Sequence, residues 1–586
     1  MSADTESKLS RATSVAALTL LLQACGGGGG GSAPPPPAPA PPQPGLDDLN
    51  VYSSDAGAAL PGATEAAAVT QHSMVLGNQT LNYQATAGHL IAREISAAQR
   101  PQAAMFYVAY TLPGANAATR PVTFFYNGGP GSASVWLQLG SFGPKRLVSG
   151  VPETTAARPF PLVDNPETLL AQTDLVFINM VGSGRSQAIA PFTNRSFWGV
   201  NEDASLFRDF IRRYVEVNGR QASPKFLYGE SYGGPRTAVL ARRLQEANLP
   251  MDGLVLQSPA MDYNSNCAIF ELPRVSCAGF LPSYAAVGAW HRLTQPVPAD
   301  QEAWAVQARE FAAQSYDPAV QTFLTNASTA PALWPQLAAL TGLGANHWQA
   351  RFNLPPLYYR QNLLPGELIG RYDGRMKAAV GSALAAEGDP SSTWIGSSFA
   401  NGINNHLRND LQYRNNSTYV LLSNAIQIWN FSHAGRELPD TIPDLAWTLE
   451  QNPRLRVLSV SGYHDLATPF YKTEQDLARL NSNRVAVRNY PGGHMTFLDD
   501  ATRVRQKADL VSFYAEVLAA RGAAAGSGPQ RQASSAAPGR PYPDQAGALP
   551  LPGFRRATPE PEFQAPMLDP WVPPRGTDKA PVKGPD

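Results

Sequence analysis

Ser231 lies at the centre of the pentapeptide Gly-Glu-Ser-Tyr-Gly, which follows a strand-like run at 225–228 and precedes a helix-length segment. A Gly-x-Ser-x-Gly sequence between a strand and a helix is typical of a nucleophile elbow, a tight turn that exposes the serine hydroxyl above the helix N-terminus. The pentapeptide also occurs by chance, so a plain glycine-bounded turn is the alternative. Its position between strand and helix predicts Ser231 as a nucleophile.

A serine hydroxyl attacks efficiently when a base takes its proton, so a histidine and an acid that orients it are expected to follow. Asp465 comes after the strand-like run 456–460, and His494 comes after the run 485–489. Both lie where the partners of an elbow serine belong, on loops that follow later strands. We predict His494 as the base and Asp465 as the acid. His464 competes from the same loop as the acid, and the remaining histidines are interpreted as structural.

The segment 127–132, with the sequence Asn-Gly-Gly-Pro-Gly-Ser, follows the strand-like run 122–126. Backbone N–H groups converge on a developing oxyanion where no side chains intrude, and consecutive glycines allow this. No Gly-Lys-Ser/Thr sequence follows, so the segment does not match a phosphate-binding loop. A plain turn is the alternative, which the elbow and the ordered acid and base make improbable.

Seven short runs rich in β-branched and aromatic residues predict the strands that must position these groups. The runs are 105–112, 122–126, 174–180, 225–228, 253–256, 456–460 and 485–489. Helix-length segments such as 204–217 and 237–247 separate several of them, which predicts a mostly parallel sheet with helices on both faces. Gly77 and Asn78 indicate a hairpin turn near the start of the sheet.

Residues 263–455 carry few strand signals and several helical patterns, so we interpret them as an inserted, mainly helical cap. The cap is expected over the carboxyl ends of the strands, where open α/β sheets bind ligands. The catalytic domain is then 46–262 together with 456–521.

The two ends of the chain read differently from the globular part. Residues 1–25 resemble an export signal with a bacterial lipoprotein cleavage site, which would make Cys25 a lipidated N-terminus; cleavage by an ordinary signal peptidase is the alternative. Residues 26–45 are predicted to be a Gly/Pro-rich tether, and 522–586 a disordered, Pro-rich tail. We therefore expect an exported protein of the periplasm or cell envelope, bound to a membrane through that lipid alone.

Composition excludes several other classes. The 46 basic and 46 acidic residues balance, so there is no excess positive charge for a nucleic acid or for an anionic membrane surface. Three cysteines rule out a disulfide scaffold and a cysteine-rich metal site, and the proposed chemistry needs no metal or cofactor. In an oxidising compartment Cys267 and Cys277 either form a disulfide or remain two buried thiols.

Over about 74–517 the chain resembles the serine carboxypeptidases, a family of the α/β-hydrolase fold. The resemblance is strongest in the segments 127–132, 229–233, 462–465 and 493–495, and the flanking sequences are similar to a bacterial, exported branch of that family. It implies that Ser231, Asp465 and His494 form the triad. It also implies roles that spacing alone does not indicate.

By that resemblance the N–H groups of Gly129 and Tyr232 form the oxyanion hole, and Asn127 with Glu230 binds the terminal carboxylate of a peptide. An ionised Glu230 would repel a carboxylate, so the role requires a protonated acid, which burial favours. The family often pairs this glutamate with a second one, but Ser141 stands at that position here. Without the second glutamate, we expect the specificity for free C-termini to be less strict.

The sequence as a whole predicts a serine-type carboxypeptidase that acts on peptides through an acyl-enzyme. An esterase or aminopeptidase on the same fold is one alternative. Asn127 and Glu230 argue against the aminopeptidase, because iminopeptidases typically carry histidine and tryptophan there. An inactive, surface-anchored binding lipoprotein is the alternative from another class, and the complete set of catalytic residues argues against it.

Overall fold

The computed structural model of the chain describes residues 45–269 and 274–526. The predicted export segment, Cys25, nearly all of the tether and the tail beyond residue 526 lie outside them. The strands of the described residues are β1 (Leu46–Asp47), β2 (Ala66–Leu76), β3 (Gln79–Arg93), β4 (Pro101–Thr111), β5 (Val122–Tyr126), β6 (Lys145–Leu147), β7 (Leu162–Asp164), β8 (Asp174–Ile178), β9 (Gln187–Ala188), β10 (Lys225–Glu230), β11 (Gly253–Gln257), β12 (Glu367–Ile369), β13 (Lys377–Ala379), β14 (Tyr413–Arg414), β15 (Arg456–Gly462) and β16 (Val485–Tyr490).

The α-helices of the same residues connect and cover these strands. They are α1 (Val135–Gly140), α2 (Val200–Val217), α3 (Gly233–Glu246), α4 (Leu281–Trp290), α5 (Gln301–Phe311), α6 (Asp317–Asn326), α7 (Trp334–Thr341), α8 (Ala345–Ala350), α9 (Pro356–Asn362), α10 (Pro390–Asn405), α11 (Ile442–Gln451), α12 (Phe470–Ala478) and α13 (Asp500–Gly526). Helix α13 continues about one turn past residue 521, where the catalytic domain was expected to end. None of the described helices is long and apolar enough to cross a membrane.

The central sheet has the strand order β16-β15-β11-β10-β5-β8-β4-β3-β2, and β9 pairs with β4. From β16 to β8 neighbouring strands are parallel, and β4, β3 and β2 continue the sheet antiparallel. Strands β2 and β3 form the predicted hairpin at Gly77-Asn78. All seven strands predicted from sequence are present, and the α/β-hydrolase fold is confirmed.

The sheet is covered on both faces because alternate residues of its strands point to opposite sides. In β5, Phe124 and Tyr126 pack in one core with helices α2, α3 and α11, whereas Phe125 packs in the other with α1, α10 and α13. Every residue of β5, β8, β10 and β11 is buried, as expected for parallel strands covered on both sides. The loops at the carboxyl ends of these strands therefore start from rigid positions.

The cap has its own hydrophobic core, built from residues between Ala278 and Ile369 and closed by side chains that follow β15, such as Tyr463 and Phe470. This core does not extend through the whole of the segment 263–455 that is expected to form the cap. Residues 390–455 include α10 and α11, whose apolar faces pack on the two faces of the sheet instead of in the cap core. The position of this segment between two strands predicted an insertion. The sequence did not indicate whether its amphipathic helices pack on the sheet or in the cap.

Candidate active site

Ser231 occupies a strained turn between β10 and α3. Its φ of +62° is in the left-handed region, which is uncommon for a residue with a side chain. At Gly229 an added Cβ would lie 2.2 Å from the carbonyl oxygen of Gly233, so this position requires glycine. The Ser231 N–H donates to the carbonyl oxygen of Gln257 at 2.9 Å, which ties the turn to β11. The geometry is that of a nucleophile elbow.

His494 and Asp465 form a buried pair on the loops after β16 and β15. The distance from His494 Nδ1 to Asp465 Oδ2 is 2.7 Å, and the two side chains are 2% and 0% exposed. The other carboxylate oxygen of Asp465 accepts the backbone N–H groups of Ala467 and Thr468 at 2.7 and 3.0 Å. A carboxylate at Nδ1 keeps the proton on that nitrogen, so Nε2 is left as the basic atom.

Nε2 of His494 makes no hydrogen bond with any residue of the described ranges 45–269 and 274–526. In particular, no hydrogen bond joins it to Ser231 Oγ. Hydrogen bonds of this kind are often longer in the absence of substrate. Burial lowers the pKa of His494, but the Asp465 carboxylate outweighs burial and the net pKa is raised above the usual value. A histidine with a raised pKa is a stronger base toward a serine hydroxyl, provided that the pH keeps it neutral.

The glycine-rich loop after β5 packs directly on the elbow. An added Cβ at Gly128 would lie 2.4 Å from the backbone nitrogen of Tyr232, so only glycine allows the two loops to approach this closely. Gly129 has a φ of +101°, again a glycine conformation. Within the described chain the N–H groups of Gly129 and Tyr232 have no hydrogen-bond acceptor. Two free N–H groups beside the serine are what an oxyanion hole requires.

Asn127 and Glu230 are both 2% exposed and lie next to this hole. The Asn127 side-chain oxygen accepts the N–H of Leu137 at 3.2 Å. The Asn127 side chain also acts on the Glu230 carboxyl, where it opposes the effect of burial on the pKa. Oε2 of Glu230 has no hydrogen-bond partner among the described residues. Burial raises the pKa of Glu230 to about 7. A carboxyl group that is protonated below neutrality therefore sits beside the nucleophile.

Ser141, which stands where a second glutamate was considered, donates its hydroxyl to the carbonyl oxygen of Leu137 at 2.5 Å. It is fully buried. The second carboxyl of a glutamate pair is thus replaced by a hydroxyl that is satisfied within helix α1. Glu230 therefore binds a proton or a ligand without a second carboxyl group beside it.

His464, the competing histidine, is buried against the ring of Trp290, with 6.0 Å between the ring centroids. Neither of its ring nitrogens has a hydrogen-bond partner in the described chain. Burial and the nearby Arg375 lower its pKa well below the ordinary value. A histidine without an orienting acid is the weaker candidate for a catalytic base.

Sequence reasoning missed a fully buried arginine that supports the glycine-rich loop. Arg236 of α3 pairs with Asp203 of α2 at 2.6 Å and donates to the carbonyl oxygen of Asn127, also at 2.6 Å. An arginine within an apolar helix face, five residues after the elbow serine, was the available signal. Of the two states expected for Cys267 and Cys277, the structure has the disulfide, with the two Cα atoms 5.4 Å apart.

Comparison with known proteins agrees with this geometry. Residues 77–270 match the family model of the serine carboxypeptidases. The predicted resemblance to the serine carboxypeptidases is confirmed. The matched segment includes the glycine-rich loop and the elbow and ends before Asp465 and His494. The match to this family model supports a serine hydrolase, and more specifically a peptidase.

The similar solved structures are distant in sequence. A prohormone-processing carboxypeptidase from Saccharomyces cerevisiae is 16% identical, with a TM-score of 0.47, over 73% of this chain and 91% of that one. A proline iminopeptidase from Mycobacterium smegmatis is 15% identical, with a TM-score of 0.33, over 77% and 100%. An esterase from Thermogutta terrifontis is 12% identical, with a TM-score of 0.30, over 73% and 98%.

Proposed function

We propose that the protein is a serine-type carboxypeptidase that releases C-terminal residues from peptides. The observation that carries the proposal is the buried Glu230 carboxyl, with its unpartnered Oε2, next to Ser231 and close enough to the buried Asn127 side chain for that side chain to affect its pKa. A protonated carboxyl and an amide N–H together donate to a carboxylate, whereas a general esterase has no need of such a pair.

In the proposed reaction Ser231 Oγ attacks the carbonyl carbon of the last peptide bond while His494 Nε2 takes the hydroxyl proton. The N–H groups of Gly129 and Tyr232 stabilise the oxyanion of the tetrahedral intermediate. His494 then protonates the leaving amine, and the C-terminal amino acid is released. The rest of the peptide remains bonded to Ser231 as an acyl-enzyme. Water, deprotonated by His494, attacks the acyl carbon and regenerates Ser231.

The carboxylate of the leaving residue is bound in this proposal by the Asn127 amide and the neutral Glu230. Because burial raises the pKa of Glu230 to about 7, the acid is protonated at lower pH and ionised above it. Ionisation places a negative charge against the substrate carboxylate. Selectivity for free C-termini is therefore greatest below about pH 7.

A small cavity of about 30 Å³ adjoins His494 through its neighbours Tyr372 and Met495. Its apolar lining comes from the segment after β6, from the segment after β12, from α10 and from the loop after β16: Val151, Met376, Ile395, Met495 and Leu498. We assign it to the side chain of the leaving residue. Its lining favours an apolar side chain.

We further propose that the enzyme works outside the cytoplasm, held by a lipid on Cys25. The disulfide between Cys267 and Cys277 supports an oxidising compartment, since such bonds rarely persist in the cytosol. The lipid itself rests on the sequence pattern at residues 1–25.

The function is tested by supplying the purified protein with N-blocked dipeptides, their C-terminal amides, simple esters and aminoacyl anilides from pH 4 to 8. We expect the free acids to be cleaved in preference to the amides, by a ratio that falls above about pH 7. Asn127→Ala should abolish that preference and leave ester cleavage within a few fold, with Ser231→Ala as the inactive control. Equal cleavage of acids and amides at every pH would indicate an esterase, and anilide cleavage from a free N-terminus an aminopeptidase.

A further inference from the structure

Strand β11 lies between the strand that carries the nucleophile and the strand that carries the acid. It pairs with β10 on one side and β15 on the other, and it ends at Gln257. Gln257 and the next residue, Ser258, are both fully buried. Neither belongs to the triad, yet the end of β11 is within hydrogen-bonding distance of all three loops that carry the triad.

Two of those loops bond directly to this pair. The carbonyl oxygen of Gln257 accepts the N–H of Ser231 at 2.9 Å. On the other side, Ser258 Oγ donates to the carbonyl oxygen of His494 at 2.6 Å, and the Gln257 amide donates to the same oxygen at 3.2 Å. The nucleophile and the base are thus bonded to adjacent residues of one strand end.

The third loop reaches the same point through Thr468. Its hydroxyl lies 2.9 Å from the carbonyl oxygen of Ser258, 2.8 Å from Asp465 Oδ2 and 3.0 Å from His494 Nδ1. One hydroxyl therefore contacts the acid, the base and the end of β11. Its single proton can be donated to only one of the two oxygens, and of the three neighbours only the Nδ1–H of His494 can donate to the Thr468 oxygen.

Ser258 is also strained. Its φ is +45°, in the left-handed region where residues with a side chain are uncommon. Such conformations persist where surrounding contacts hold them, and they cluster at functional sites. Here the backbone N–H of Ser258 donates to Val460 at 2.7 Å, which adds the acid-bearing strand to its partners.

We propose that Ser258 and Thr468 are positioning residues that hold the nucleophile, acid and base loops at the separations needed for proton transfer. The proposal rests on the proposed serine-hydrolase chemistry of the same site. Within the described residues no direct hydrogen bond joins Ser231 to His494, so other contacts must set the distance between these two side chains. Their spacing is held through β11, and a small displacement of a catalytic group lowers the rate by about 10²-fold.

The test compares Thr468→Val, which removes the hydroxyl at nearly constant shape, with Thr468→Ser, which keeps it. Thr473→Val is the matched control, because Thr473 is also buried and its hydroxyl bonds at 3.1 Å to the carbonyl of Pro259, next to Ser258, without touching the triad. Rates of fluorophosphonate labelling, kcat and KM for an ester, and thermal unfolding are measured for each purified full-length protein.

We expect Thr468→Val to lower both the labelling rate and kcat by about 10- to 100-fold with KM within about twofold. Thr468→Ser should recover most of this loss, and Thr473→Val should react like the unaltered protein. Ser258→Ala, which removes the bond to His494, is the second variant and should lower kcat by about tenfold. Because both residues act through one junction, the double variant should lose less than the product of the single losses.

Failure of the unaltered protein to react with the fluorophosphonate overturns the proposed function itself. With a reactive protein, positioning is overturned if Thr468→Val and Ser258→Ala keep the labelling rate of Thr473→Val, or if Thr468→Ser is as slow as Thr468→Val. Should Thr468→Val not fold, Ser258→Ala alone decides between these outcomes.

Discussion

Two buried histidine–aspartate pairs in this protein have nearly the same geometry and different surroundings. His494 Nδ1 lies 2.7 Å from Asp465, and His433 Nε2 lies 2.8 Å from Asp444. In both pairs the side chains are at most 2% exposed. A short, buried contact between imidazole and carboxylate therefore does not identify a catalytic base.

The difference lies in the second ring nitrogen and in the neighbours of the acid. His433 Nδ1 lies 3.0 Å from the side-chain oxygen of Asn201, and Asp444 also accepts from Arg242 at 3.3 Å. His494 Nε2, by contrast, has no partner within the described chain. A histidine with both nitrogens bonded stabilises the fold, whereas one with a free nitrogen can transfer a proton.

The largest expected effect separates the two histidines. His494→Ala should lower kcat by about 10⁴- to 10⁶-fold, because the serine loses its base. His433→Ala should leave kcat of the folded protein within a few fold and lower the free energy of unfolding by about 3 kcal/mol, since the buried Asp444 carboxylate keeps only its longer contact with Arg242. Steady-state kinetics on an ester and urea unfolding measure the two quantities. A large kcat loss in His433→Ala would break the distinction.

Substitution of the two aspartates should also have different effects, Asp465 on kcat and Asp444 on stability. The expected loss of kcat is smaller than for His494→Ala. Asp465→Asn should lower kcat by about 10⁴-fold, because an amide does not hold the proton on His494 Nδ1. Asp444→Asn should lower the free energy of unfolding by about 2 to 3 kcal/mol and spare kcat, since it weakens bonds to His433 and Arg242. The same two assays apply, and equal kcat values for the two variants would contradict the assignment.

The smallest expected effect concerns Glu230, the carboxyl that the catalytic region leaves partly unsatisfied. Its pKa rises from 4.5 to about 7 on folding, so its contribution to stability is fully present below about pH 4.5 and is lost as the pH rises through about 7. Glu230→Gln removes this loss. The variant should match the unaltered protein at pH 4 and exceed its free energy of unfolding by about 3 kcal/mol at pH 8.

Urea unfolding at both pH values measures this gain, with Glu153→Gln, at an exposed position, as the matched control. The control should show less than about 0.5 kcal/mol of difference at either pH. A Glu230→Gln protein that is less stable at pH 8 would show that the ionised carboxylate is well solvated in the fold. It would also remove the basis for selectivity that falls above neutrality.

Several parts of the structure could be predicted because they depend on local sequence. The pentapeptide around Ser231 forms a tight turn in which an added Cβ at Gly229 would clash, and the seven strand runs follow from β-branched and aromatic composition. The order of serine, acid and base along the chain was enough to choose Asp465 and His494. Resemblance to a family supplied Gly129, Tyr232, Asn127 and Glu230, whose spacing alone is uninformative.

The sequence by itself determined the α/β sheet, the elbow, the glycine-rich loop and the identity of the candidate acid and base, because each depends on neighbouring residues or on chain order. Only the tertiary structure decided that α10 and α11 pack on the sheet, that His433 rather than His464 has an aspartate partner, and that Ser258 and Thr468 join three loops. These contacts link residues up to more than 200 positions apart, as between Ser258 and Thr468. No local pattern encodes them, since a buried hydroxyl takes whichever partner the fold brings within 3 Å.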